Sequence, residues 1–178
     1  VPVQIFQDLI EANERYRQGF DAGDLLPPPR RHLAVLTCMD CRIDTASVFG
    51  LDPGDAHVLR NAGARASNDA IRSLIISTTE LGVRRIAVVH HTHCGAAPTP
   101  QDVIVDEVLQ TTGADPSSID FLLFVDPAEA LRSDVERLAS CPYLPAGVLV
   151  AGFMYDVSTG VIKQETDILE APTATPAG

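Results

Sequence analysis

Short apolar runs alternating with longer stretches of helical spacing constrain this chain most tightly. Residues 33–37, Leu33 to Thr37, are apolar up to the closing threonine and lie between a proline-rich stretch and polar residues. A run this short, without in–out alternation, suits a strand buried on both faces. Residues 57–59, 85–90 and 148–153 read the same way. Between them, residues 68–81 put Ile71, Leu74, Ile75, Thr78 and Leu81 on one stripe, with Ser67 or Asn68 to cap the start and Gly82 the end. Asp126, Pro127 and Glu129 occupy the N-cap, N1 and N3 positions of a further helix, whose inner face is Leu131, Val135 and Leu138. Residues 101–112 read as a weaker helix, and 121–125 are apolar without an assignable pattern. Alternation of this kind predicts an α/β fold with a mainly parallel β-sheet flanked by helices.

The ends differ from the middle. Residues 3–19 carry Ile5, Leu9, Ala12 and Tyr16 at helical spacing, and Pro27-Pro28-Pro29 follows. The expectation is an N-terminal helical arm over 1–26, suited to lie on a partner subunit. Ser158-Thr159-Gly160 turns the chain into a hairpin strand at 161–163, and residues 171–178 are expected to form a mobile tail. Neither a repeat nor a second domain is visible, so 1–178 is read as a single domain. A net charge of −11, with no compensating Lys/Arg block, argues against nucleic acid and anionic membrane as partners. No apolar run reaches the roughly 20 residues of a bilayer span. The start carries Asp8, Glu11 and Glu14 in place of a basic leader, which points to a cytoplasmic protein. Four cysteines in such a chain suggest metal or redox chemistry before disulfides.

In parallel sheets, ligands gather beyond the carboxyl ends of the strands. Two segments stand there: 37–42, with Cys38, Asp40, Cys41 and Arg42, and 91–95, with His91, His93, Cys94 and Gly95. Zinc prefers thiolate and imidazole donors in a tetrahedron, and a catalytic site leaves the fourth position to water. Cys38, His91 and Cys94 supply three such donors, although His90 and His93 compete for the imidazole role. In extended chain, positions 38, 40 and 42 share a face. A carboxylate beside a metal-held water accepts its hydrogen bond, and a bidentate arginine keeps that carboxylate ionised.

Cys-x-Asp-x-Arg at 38–42, followed some fifty residues later by His-x-x-Cys-Gly at 91–95, resembles the signature of the β-class carbonic anhydrases, in their small bacterial branch. Residues 50–56, 59–63, 80–82 and 152–156 are similar to that branch too. The resemblance implies a β-carbonic anhydrase-like sheet and a homo-oligomer, dimer or tetramer, in which the N-terminal helix wraps the neighbour. It implies one Zn²⁺ per chain on Cys38, His91 and Cys94, with Asp40 and Arg42 as the catalytic pair. It also implies an Asn61-Ala62-Gly63 turn near the pocket and a Gly95 amide offered to a bound oxygen. The implied reaction is reversible hydration of CO2 to bicarbonate. Two thiolates cancel the charge of Zn²⁺, so the bound water should be less acidic than the value of about 7 seen with three histidines, and activity should climb on the alkaline side. The tryptophan of the family's closed, Asp-ligated state is absent, so an open site is expected near neutral pH.

Several departures keep other readings open. Cys41 makes a Cys-x-x-Cys step with Cys38, a redox motif or a fourth ligand, although a packed, inert thiol is the expectation. His93 is a candidate proton shuttle, Cys141 a thiol with no role, and Asp40–Arg42 could be a plain ion pair. Residues 96–100 lack the bulk familiar in that branch. Hydrolysis of carbonyl sulfide or carbon disulfide at the same site is therefore the alternative activity, and a zinc-binding or redox-sensing module the non-enzymatic one.

Overall fold

The computed structural model describes residues 5–97 and 99–172. Its centre is a six-stranded sheet in the order β2-β1-β3-β4-β5, with β6 also paired to β4. β1 (Leu33–Cys38), β2 (Ala56–Asn61), β3 (Arg85–His91) and β4 (Leu149–Tyr155) are parallel. β5 (Ile162–Gln164) and β6 (Leu169–Glu170) return antiparallel along the outer edge of β4. The mainly parallel α/β sheet expected from the sequence is therefore present.

Period-two alternation sorts the strand side chains between two apolar clusters. Ala34, Leu36, Ile86, Val88 and Val150 face one side. There α3 (Asn68–Thr79) adds Ala70 and Leu74, and α5 (Pro127–Ala139) adds Leu131, Val135 and Leu138. Val35 and Val89 face the other side, with Ile43, Tyr155, Phe124 and the side chains of α2 (Thr45–Phe49). Both long helices are capped as their sequences suggest. Ser67 accepts the Ala70 N–H at 3.2 Å, and Asp126 accepts those of Ala128 and Glu129 at 2.8 and 3.2 Å. α3 ends before Leu81, which lies outside its buried stripe. α4 (Gln101–Thr112) forms where the weaker helix was read, and 121–125 remain irregular.

The arm holds α1 (Gln7–Tyr16) and a 3-10 turn, Arg17–Gly19, with no residue of either buried. Residues 5 and 6 form a turn before the helix begins at Gln7, and positions 1–4 of the expected arm lie outside the described residues. Ala171, the first residue of the expected tail, is 2% exposed, and its N–H donates to Val148 O at 2.8 Å. Residues 173–178 of that expected tail lie outside the described residues. No helix among the described residues is long and apolar enough to cross a membrane.

Candidate metal centre

From β1 the chain steps to β2 on one side, then crosses to β3 on the other. The crevice at such a reversal is where α/β sheets hold ligands. Cys38 closes β1 and His91 closes β3, so the two meet there from neighbouring strands. His91 belongs to the strand itself, one residue earlier in the fold than expected. Cys94 follows in the turn after β3. The two sulfurs are 3.9 Å apart, and the donor atoms of Cys38, His91 and Cys94 all lie within 4.8 Å of one another, all three residues buried.

The three histidines separate cleanly. His90 and His91 are consecutive on a strand and so point to opposite faces. His90 turns to α5, with Nε2 3.2 Å from Asp134 Oδ2. His93 is exposed at φ 53° and meets the site only through its carbonyl, which accepts from Arg42 Nη2 at 2.9 Å. His91 Nδ1 lies 2.9 Å from Thr92 O, so it carries the proton and donates. Nε2 is thereby left as a buried lone pair with no hydrogen-bond partner among the described residues, beside the two sulfurs. A buried unpaired nitrogen is costly unless a cation takes it. Two sulfurs and one imidazole fit a tetrahedral cation of borderline softness with one corner open.

The two thiols share a proton unequally. The hydrogen bond from Cys94 draws the Cys38 thiol down to about 3 against the opposing effect of burial, aided by His91 and by the Asp40 and Gly63 amides. The same hydrogen bond, with burial, pushes Cys94 up. A cation that binds both sulfurs would replace the proton they share.

Asp40 and Arg42 also meet at the site, by a different route from the one expected. β1 ends at Cys38, and residues beyond it turn, with Ile43 N–H donating to Asp40 O at 3.1 Å. The turn, and not a shared face of extended chain, brings the pair together. Arg42 Nε donates to Asp40 Oδ1 at 2.9 Å, Nη2 to Oδ2 at 2.6 Å, and the Arg42 backbone N–H to Oδ1 at 2.9 Å. These bonds hold the Asp40 carboxyl well below the usual carboxylate range. Its Oδ2 stands 3.9 Å from His91 Nε2.

Cys41 is exposed, not packed as expected, and it stands outside the Cys38–His91–Cys94 group. Cys141 is buried in the core beside Leu138 and Leu144. Asn61 spans its turn by accepting the Arg65 N–H at 2.8 Å and donating to Arg65 O at 2.7 Å. This sets Gly63 at φ 76°, with its amide toward the Cys38 sulfur. A Cβ at Gly63 would stand 3.0 Å from the Phe124 ring and 3.2 Å from Ala96, so only glycine fits. Gly95 is exposed in the turn after Cys94. Arg60, to which the sequence reading gave no role, donates to the carbonyls of Cys38, Asp40 and Ile43. Its only sequence signal is a long cation at the carboxyl end of a strand next to β1.

An α/β sheet with a Cys2His cluster at its switch point, flanked by a clamped carboxylate, defines a class of metalloenzyme. The carbonic anhydrase family model matches residues 33–115, which hold Cys38, Asp40, Arg42, His91 and Cys94, and the chain belongs to the β-carbonic anhydrase family. It is 35% identical to β-carbonic anhydrase 1 of Mycobacterium tuberculosis, over 91% of this chain and 98% of that protein. It is 31% identical to a carbon disulfide hydrolase of an Acidianus species, over 83% of each. The crystal structure of a carbonic anhydrase from Streptococcus mutans superposes with a TM-score of 0.87 at 38% identity, covering 90% of this chain and 97% of that one.

Proposed function

We propose that this chain catalyses the reversible hydration of CO2 to bicarbonate and a proton, at one zinc ion per chain held by Cys38, His91 and Cys94, with Asp40 and Arg42 as the catalytic pair. The observation that carries this reading is the Asp40 carboxylate, clamped by Arg42 and 3.9 Å from His91 Nε2. A site that only stored zinc has no use for that pair.

Bound zinc supplies a coordinated water of lowered pKa. Beside such a water, the Asp40 carboxylate would accept a hydrogen bond and so orient it. Because Arg42 holds the carboxyl so far below neutrality, Asp40 stays an acceptor and does not keep the proton. Arg42 fixes the plane of the carboxylate through its two parallel bonds and ties it, through the His93 carbonyl, to the loop that carries Cys94. The His91 hydrogen bond to Thr92 O fixes the ring so that Nε2 faces the sulfurs.

Hydrolysis of carbon disulfide or carbonyl sulfide is the second reading. The Acidianus relative supports it, and these substrates are linear and apolar like CO2. The test is stopped-flow CO2 hydration beside sulfide release from both compounds, on zinc-loaded protein and on Asp40→Ala. Fast hydration that falls by roughly 100-fold or more in the variant is expected. Feeble hydration with strong sulfide release would move the activity to the second reading.

The assembly we propose is a dimer or a larger homo-oligomer of such dimers. Leu9, Ile10 and Tyr16 on α1 are 61%, 51% and 60% exposed and find no seat among the described residues of their own chain. An apolar groove lined by Leu33, Ala87, Leu149, Phe153 and Ile168 is open on the sheet. A second copy offers both halves of the match.

A further inference from the structure

Arg60 stands near the end of β2, the edge strand beside β1, and takes no part in the chemistry above. Its guanidinium reaches three carbonyls of one short segment. Nε donates to Cys38 O at 2.9 Å, Nη2 to Asp40 O at 2.6 Å, and Nη1 to Ile43 O at 3.1 Å. Past the last paired residue, Cys38, the Met39 N–H still donates to Asn61 O at 2.9 Å, and beyond Met39 no strand among the described residues holds the backbone that carries Asp40 and Arg42.

We propose that Arg60 is a positioning residue for the Asp40–Arg42 pair, fixing the 38–43 loop so that the carboxylate faces the metal ligands. One planar fork spans the segment from its start in the strand to its far end, with the dyad carboxylate between. The side chain is exposed, so each bond alone is weak in water, but the three share the cost of ordering one rotamer. The loop is then held from both sides. Arg60 anchors it toward β2, and the Arg42 bond to His93 O anchors it toward the loop after β3. Cys38 stays in the β1 ladder and His91 in β3 whatever Arg60 does. Loss of Arg60 should therefore move the carboxylate and leave the ligands in place. Displacements of the order of 1 Å cost up to about 100-fold in rate.

The inference rests on the proposed function for its effect on turnover, and the test separates the two. Arg60→Gln and Arg60→Lys are compared with the native protein in zinc bound per chain, amide hydrogen exchange, and kcat and KM for CO2. Lysine keeps the charge but, as a point donor, cannot span three carbonyls. In Arg60→Gln, exchange of the 40–43 amides should rise about tenfold or more, with α5 and β4 unchanged. Zinc should remain at one per chain, and kcat should fall roughly 10- to 100-fold with KM little changed. Arg60→Lys should lie between the two, which keeps the test valid if the glutamine variant folds poorly. Unchanged local exchange, with or without lost turnover, would overturn the assignment. So would exchange that rises equally across the whole sheet, since Arg60 would then be a general stabiliser. If the native protein does not hydrate CO2, the functional reading fails, while the exchange data still decide whether Arg60 holds the loop.

Discussion

Asp134 is 3% exposed and accepts three hydrogen bonds: from Arg65 Nε at 2.7 Å, the Ala66 N–H at 3.0 Å and His90 Nε2 at 3.2 Å. Arg65 passes the connection on, donating to Leu122 O at 2.7 Å and covering the Phe124 ring at 5.4 Å. Burial acts to raise the Asp134 pKa, but the His90, Ala66 and Arg65 contacts outweigh it and the net shift is downward. A folded-state pKa below the unfolded value means that the contribution is complete above about 3.9 and drains away as pH falls toward the folded value. Asp134→Asn should lower the urea-unfolding free energy at pH 7 by about 3 kcal/mol, because it leaves the half-buried Arg65 guanidinium without its carboxylate. It should also flatten the fall in stability below about pH 4. An unchanged acid slope would contradict this. His90 and His91 show what was legible at this scale. Strand periodicity alone sends them to opposite faces, and the His-x-x-Cys spacing selects the one beside Cys94. The fate of Cys41 and the reach of Arg60 were not legible, since both follow from the turn that begins where β1 ends.

Where α5 packs on β4, a side chain at Gly152 has no room. A Cβ at Gly152 would stand 2.8 Å from Thr166 Cγ2 and 3.0 Å from both Leu131 Cγ and Val135 Cγ2. The Gly152 N–H also donates to Thr166 Oγ1 at 2.8 Å, which ties the β5–β6 connection to β4. Gly152→Ala should overpack this layer and lower thermal stability by about 1–3 kcal/mol, read by calorimetry. No change in melting temperature would mean that the layer yields. The strands and the capped helices were readable because burial and capping leave local marks: Leu33 to Thr37, Ser67, Asp126-Pro127. α2 was not readable, since five residues do not complete a periodic stripe. β6 was missed for a like reason, because a two-residue pairing at the edge of β4 is fixed by the partner strand and not by its own sequence.

On the scale of the whole molecule, the arm is the unsolved half of the burial problem. Ile5, Phe6, Leu9, Ile10 and Tyr16 are all more than half exposed in one chain, a larger apolar display than scattered surface residues explain. Leu9→Glu should shift the sedimenting species from oligomer to monomer, with little effect on secondary structure, because α1 contributes nothing to the core of its own chain. A variant that sediments like the native protein would place the interface elsewhere. The arm helix could be read from its stripe, but which surface receives it depends on a sheet face that only the folded chain creates. The account turns on the Cys2His centre with one open corner. X-ray absorption at the zinc K-edge on the full chain at neutral pH measures that directly. Two sulfurs at about 2.3 Å, with one nitrogen and one oxygen at about 2.0–2.1 Å, are predicted. A shell of three sulfurs, which would bring Cys41 into a closed site, or a chain that binds no zinc, would contradict it.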